Sequence, residues 1–329
     1  MKRGALAGLA AAAVLAALFL AMRPGEPVRV EIPERLSARQ TAELLGRQRV
    51  VVSVFLFRVF LKAAHFDRRL KPGTYTLRVH EWPTVVVRKL TLGLNDDLKL
   101  TIPEGFRASQ IAQRLAADGI ADANDFVAYA KLRKLEGRLF PSTYHFPPGY
   151  GVERAAGKMS EAFDREIGAA YAAANPKPWL NLDQTLILAS IVEREAVLPQ
   201  ERPIIAAVYL NRLKKHMPFQ ADPTVQYALG FWKQGLTRDD LRAPSPYNTY
   251  LHAGLPPGPI CSPGLGSFSA VLKPAETRAL YFVADTKGGH IFSETNEEQN
   301  DARRLRRHAL KKIKDKLKQQ AQRDEVEAR

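Results

Sequence analysis

A chain of 329 residues, at about 150 per domain, has room for about two domains with real cores. Its composition, 46% apolar and 25% charged, excludes a collagen, a wholly disordered chain and a multi-pass membrane protein. The single cysteine, Cys261, excludes an internal disulfide framework and any multi-thiolate metal site, and a net charge of +15 favours anionic lipid, wall polymer or nucleic acid as a partner.

Lys2 and Arg3 precede an uncharged run from Gly4 to Met22, and Arg23 and Pro24 close it. As a helix the run spans about 28 Å, close to the thickness of a bilayer core. It is long for a signal peptide, and Phe19-Leu20-Ala21 places a bulky residue where a cleavage site needs a small one. The expectation is an uncleaved transmembrane anchor over 1–23. The Lys2-Arg3 pair keeps the N-terminus cytoplasmic and the rest of the chain outside, which argues against a nucleic-acid partner.

One internal repeat follows. Glu31-Ile32-Pro33-Glu34-Arg35 through Leu45 matches Thr101-Ile102-Pro103-Glu104-Gly105 through Leu115 at a fixed offset. Each copy reads as a short strand, a turn and a Ser-opened helix with Ala and Leu on one face. Leu70 to Leu77 reads as a turn entering a strand, and Thr84 to Leu92 as a helix or a second strand. Two copies are too few for a solenoid, so paired α/β modules are expected over 24–95 and 96–150, the second ending in a Pro/aromatic connector, Phe140 to Gly149.

Beyond Gly151 comes a helical stretch and then a break at Asn175-Pro176-Lys177-Pro178. Asp183 is placed to cap a helix running to about Ala196, apolar in nearly every direction and therefore buried. Glu193 and Glu195 near its end are anomalous there, because Glu is seldom buried without a partner. They lie about 200° apart on the helical wheel, so they cannot form one acid/base pair. At most one of them is a catalytic acid, and the other is expected to pair with Arg194, Arg202 or Arg212. Glu193 shares its side with Leu186, Ala189 and Ser190, which would desolvate it, and Glu195 with Leu188, Ile191 and Gln184. A second helix follows from about Pro203 to Lys215, Asp222-Pro223 opens a third, and Thr237 to Asp240 opens a fourth by a capping box. Glu201 and Arg202 read as a structural pair, and His290 as at most a supporting residue. The loops Ser245 to Tyr250 and Gly254 to Gly264 hold phenols and amides on rigid backbone, which suits a carbohydrate groove.

Ala189-Ser190-Ile191-Val192-Glu193-Arg194-Glu195, with Asn211-Arg212-Leu213, Gln220-Ala221-Asp222-Pro223-Thr224-Val225, Tyr247-Asn248-Thr249-Tyr250, Gly254 to Ile260 and Tyr281 to Asp285, resembles the MltG (YceG-like) endolytic peptidoglycan transglycosylases. The resemblance runs in order over nearly the whole chain, and the pattern is departed from at Ser142, Ser262 and Gln299. It implies an α+β protein: a transmembrane helix, small LysM-like modules, a mixed α/β catalytic domain over 151–300 and a basic tail over 301–329. It implies a lyase that cuts the MurNAc-β-1,4-GlcNAc bond of nascent peptidoglycan without water, leaves 1,6-anhydro ends and limits strand length. Glu193 is then the acid/base, and Gln220, Asp222, Tyr247, Asn248 and Tyr250 are the candidate substrate contacts. The implied partners are glycan strands, the membrane and peptidoglycan synthases. No metal spacing or phosphate-cradling glycine loop is present, so no cofactor is expected. The alternative is a non-catalytic peptidoglycan-binding scaffold. From Arg303 to Lys318 nine cations face one anion, Asp315, which reads as a solvated helix or as a contact with anionic lipid or polymer.

Overall fold

The computed structural model describes residues 24–327 apart from Arg68, Trp232 and Gln234. The expected anchor over 1–23 lies outside the described residues. Among the described residues no helix is long and apolar enough to cross a membrane. The architecture is α+β, with helices in the majority and three two-stranded sheets among the described residues. The chain divides into two compact units: one holds the residues up to Leu100 with 118–120 and 143–150, and the other holds 101–117, 121–142 and everything from Gly151 on.

In the first unit β1 (Pro27–Ile32) pairs antiparallel with β2 (Gly73–Arg78), in a register that sets Val28 opposite Leu77 and Val30 opposite Tyr75. Between them lie α1 (Ala38–Arg47) and α2 (Val54–Ala63). Ser37 opens α1 through a reciprocal capping box with Gln40, which satisfies otherwise orphaned amides. The helix α3 (Pro83–Leu92) resolves the ambiguous Thr84 to Leu92 stretch in favour of helix, since Pro83 presets its first turn and Gly93 ends it in a left-handed turn at φ 71°. Val30, Ile32, Ala42, Leu45, Phe57, Leu61, Tyr75, Leu77 and Leu90 form the core of this unit.

The strand–helix–helix–strand order recurs in β3 (Leu98–Thr101), α4 (Ala108–Ala117), α5 (Ala123–Leu132) and β4 (Thr143–Phe146), with β3 hydrogen-bonded to β4. Both repeat copies turn through a left-handed residue, Arg35 at φ 70° and Gly105 at φ 78°. The expectation that both helices open on Ser is corrected here. Arg107 stands where Ser37 does, so only half of the capping box survives, the Gln110 Oε1 accepting from the Arg107 amide at 3.0 Å, while Ser109 lies inside α4.

The second unit continues with α6 (Val152–Phe163), a π-helical turn over Asp164–Gly168 and α7 (Ala169–Ala172). Its centre is α8 (Leu182–Glu195), buried from Thr185 to Val192 and packed by α9 (Arg202–Lys214), α10 (Asp222–Leu229) and α11 (Leu265–Leu272). Asn181, not Asp183, caps α8, because its side chain reaches the Gln184 amide; Asp183 pairs with Arg138 instead. The hairpin β5 (Tyr281–Ala284) and β6 (His290–Ser293) follows, and α12 (Asn296–Glu327) closes the chain, with Ala302 buried and residues 303–305 exposed.

Candidate active site at the end of the buried helix

All the groups described below belong to the second unit. The last turn of α8 sends Glu193 and Glu195 to different neighbours. The Glu195 Oε1 accepts a hydrogen bond from the Tyr209 hydroxyl at 3.0 Å, from α9. Burial is the dominant influence on this carboxyl and pushes its pKa up to about 7, assisted by the negative charge of Asp222 and opposed by the Tyr209 hydroxyl, Arg212 and Arg194.

Arg212, one turn beyond Tyr209, is buried, and it spends its donors on carbonyls. Its Nε donates to the Leu280 oxygen at 2.6 Å, and its Nη1 donates to the Pro218 and Phe219 oxygens at 3.1 and 2.8 Å. The guanidinium also stands 5.2 Å from the centre of the Tyr281 ring. It is a fixed positive charge beside Glu195 whose hydrogen bonds go to main-chain oxygens. Tyr250 donates to the Asp222 Oδ1 at 2.5 Å, and the Asp222 side chain makes no helix cap. The helix-cap reading of Asp222 is thereby corrected; its carboxylate holds Tyr250 instead. Gln220 is exposed, takes φ 49° and donates its amide to the Thr249 oxygen at 3.0 Å.

Glu193 meets opposite chemistry. Its side chain is 8% exposed, its Oε1 lies 3.6 Å from the Arg202 Nη2, and its Oε2 accepts from the Gly264 amide at 3.1 Å. The same Arg202 nitrogen lies 3.4 Å from the Glu104 Oε2, so one guanidinium serves two carboxylates. Burial and then the Glu193 charge push Glu104 above the ordinary carboxylate range. A Cβ on Gly264 would come within 1.8 Å of the Glu104 Oε1, so any side chain there would push the Glu104 carboxylate away from its present place. The turn is held down by amides, Gly105 donating to the Ser262 oxygen at 2.9 Å and Ser262 to the Phe106 oxygen at 2.8 Å.

The apolar surroundings expected for Glu193 are therefore corrected, and the carboxyl that meets an expected arginine is Glu193: Arg202 faces it, while a phenol faces Glu195. The wheel registers neighbours on α8 alone, whereas α9, the Ile102–Gly105 turn and the Ser262–Gly264 loop supply the partners. Glu201 and Arg202 do not pair either. Glu201 takes the His290 amide at 2.8 Å and its Nδ1 at 2.7 Å, anchoring the β6 strand.

The remaining candidates separate. Asn248 is fully buried and donates to the Leu241 and Ala243 oxygens at 3.0 Å, while its Oδ1 accepts from the Tyr250 amide at 3.0 Å. Both amide hydrogens are spent on the loop, so Asn248 braces Tyr250 and has no donor left for a ligand. Tyr247 stands with Tyr227, ring centres 4.8 Å apart, and Tyr227 donates to the Glu136 Oε2 at 3.3 Å under the Arg107 guanidinium. Burial pushes the pKa of Glu136 up. Ser190 fastens the loop to α8, its Oγ donating to the Ile187 oxygen at 2.7 Å and accepting from the Ile260 amide at 3.0 Å. Of the three departures from the pattern, Ser262 and Gln299 are buried, and Gln299 donates to the Phe282 oxygen at 2.9 Å. Sequence reading missed Tyr209, Glu104 and Glu136; the signal for the first was Tyr209 and Arg212 three apart on one face of α9.

The model of the YceG-like family matches residues 30–305. The chain belongs to the YceG-like family. A relative from Bacillus subtilis strain 168, an endolytic murein transglycosylase, is 33% identical over 306 residues, covering 84% of each chain. Another protein of that name, from Streptococcus pneumoniae serotype 2 strain D39, is 30% identical over 328 residues, covering 87% of this chain and 59% of its own length. A 2.6 Å crystal structure of a yceG-like protein from Listeria monocytogenes superposes with a TM-score of 0.55 at 35% identity, covering 84% of this chain and 99% of that one. The family expected from the motifs is thus the family found, and this YceG-like chain carries its charged and phenolic residues on the scaffold described above.

Proposed function

We propose that this YceG-like protein is an endolytic lytic transglycosylase of peptidoglycan, held at the membrane by the apolar run from Gly4 to Met22, with its catalytic unit outside the cytoplasm and Glu195 as its acid/base. The relatives' activity supports the reaction class. One observation carries the choice of residue: Glu195 is the carboxyl of the last α8 turn that is held near half protonation at neutral pH, under the Tyr209 hydroxyl and beside Asp222 and Tyr250. Glu193 is instead clamped between the Arg202 guanidinium and the Gly264 amide.

The reaction asks one group to play two parts in turn. Protonated Glu195 gives its proton to the bridging oxygen as the bond from the muramyl C1 breaks, and the positive character at C1 grows. The carboxylate left behind is stabilised by the Tyr209 hydrogen bond and the fixed charge of Arg212. It then removes the proton of the muramyl C6 hydroxyl as that oxygen bonds C1, closing the 1,6-anhydro ring and restoring the acid. A group half protonated at the working pH suits both steps. Tyr250 and Gln220 are the sugar contacts assigned at this end, and Asp222 fixes Tyr250 and raises the Glu195 pKa. The strand–helix–helix–strand modules are assigned as LysM-like glycan contacts, and peptidoglycan synthases as the partners.

The test is digestion of purified glycan strands by Glu195→Gln and Glu193→Gln, with mass spectrometry of the ends. The first variant should lose anhydro-muropeptide release by at least about a hundredfold. The second should keep it within about tenfold. The opposite ranking returns the acid to Glu193, and products with reducing ends would make Asp222 the second carboxylate of a water-using muramidase.

A further inference from the structure

The helix α2 is apolar on both faces. Its inward face buries Phe57 and Leu61, at 2% and 1% exposure, with Val54 and Phe60 packed partly against the same core. Its outward face shows Phe55, Leu56 and Val59 at 70%, 65% and 50%, with Val52 beside them at 60%. At about 100° per residue the three helical residues share one stripe, and Arg58 and Lys62 border it along one edge. Scattered exposed apolar residues are ordinary, but a contiguous stripe of this kind marks a contact surface.

The patch lies at the end of the unit where the chain enters. The Gly25 amide donates to the Val79 oxygen at 2.7 Å, and the next two amides, His80 and Glu81, donate to the Arg49 and Val50 oxygens at 2.9 Å each. Val52 is two residues further on. Gly25 is in turn three residues past Met22, the end of the apolar run, so this end of the unit lies within about 10 Å of it by chain reach alone. Arg47, Arg49 and Arg58 are exposed in the same segment.

We infer that this patch is a membrane-facing surface: Val52, Phe55, Leu56 and Val59 enter the interface between headgroups and acyl chains, and Arg47, Arg49 and Arg58 meet anionic headgroups. This rests on the reading of Gly4 to Met22 as the anchor. The chemistry is that of an interfacial helix, apolar on one side with cations at its margins. A short tether concentrates the patch at the surface, so even weak insertion is effective. The first unit is then laid flat on the bilayer instead of swinging on its tether.

The full chain is reconstituted into nanodiscs of phosphatidylcholine with about one-third phosphatidylglycerol, with an environment-sensitive dye on Val59→Cys. Cys261 is fully buried and does not compete for the label. A dye on Lys134→Cys, exposed in the other unit, is the reference. The expected result is blue-shifted emission at position 59 and at least about threefold slower quenching by iodide than at position 134, with Phe55→Asp/Leu56→Asp abolishing the difference. Equal quenching at the two positions in chains that co-elute with discs overturns the patch and leaves the anchor standing. Shielding seen only when two chains share a disc overturns it in favour of self-association. A chain that does not stay with the discs overturns the anchor and the patch together.

Discussion

Glu193 and Glu195 leave the same turn of α8, two residues apart, and the protein treats them in opposite ways. Glu193 is given a guanidinium and a backbone amide, shares the first with Glu104, and so joins the Ile102–Gly105 turn to the Ser262–Gly264 loop. Glu195 is given burial, a phenol and a neighbouring negative charge, with the nearby arginine tied to carbonyls. The same side chain at the same helix end becomes a strut on one side and, on the function proposed above, a proton carrier on the other. What distinguishes them is the number of donors brought up by other elements, not anything in the helix itself.

The comparison breaks most sharply in activity. Glu195→Gln should cost at least about a hundredfold in glycan cleavage, while Glu193→Gln should cost about tenfold or less in rate and show its effect in the melting temperature instead. A loss of similar size in both would mean that the two carboxyls act as one device.

Stability separates them next. A carboxyl whose pKa is raised on folding, from 4.5 to about 7 here, costs nothing below its unfolded value. The cost grows between those two pH values and is fully present above 7. Glu195→Gln should therefore stabilise the fold at pH 8, by up to about 3 kcal/mol, and by little at pH 4.5. Arg202→Leu, which leaves two carboxylates without their shared cation, should destabilise by about 1–2 kcal/mol near neutral pH. Denaturant titrations at two pH values measure both, and an unchanged Glu195→Gln difference between them would place that carboxyl in water.

The smallest effects are shifts in the pH profile. Cleavage should fall as pH rises past about 7, as Glu195 loses the proton that the first step needs. Tyr209→Phe removes a hydrogen bond that favours the carboxylate, so the falling limb should move to higher pH. Asp222→Asn removes a negative charge that favours the acid, so the limb should move to lower pH. Shifts of about half a unit to one unit, opposite in sign, are expected from initial rates across pH 5–9. Shifts of the same sign would assign the limb to another group.

Much of this was legible in the chain. The family, the buried helix with two anomalous carboxylates and the repeated strand–turn–helix follow from motif order and periodicity, which are local properties. The phenol–carboxylate pair of Tyr250 and Asp222 joins two of the motifs picked out in the chain. The partners of each glutamate were not legible, because Tyr209, Arg202 and Gly264 arrive from elements whose packing angles no wheel records. Asn248 looked like a sugar contact because an amide is an amide in sequence; only its burial and two carbonyl acceptors make it a brace. Glu104 is hidden inside a repeat, where its twin Glu34 reads as part of a turn and nothing more.

Arg212 joins the strand edge at Leu280 to the Pro218-Phe219 loop while projecting its field onto Glu195. A counter-charge tethered by main-chain oxygens does not have to rotate or shed water when the proton leaves, so its influence is the same at every stage of the cycle. Lysine would keep the charge but not the forked reach, and the molecule would lose its scaffold and its tuning in one substitution. At this position an engineer has no way to trade robustness for rate, since one set of hydrogen bonds sets both.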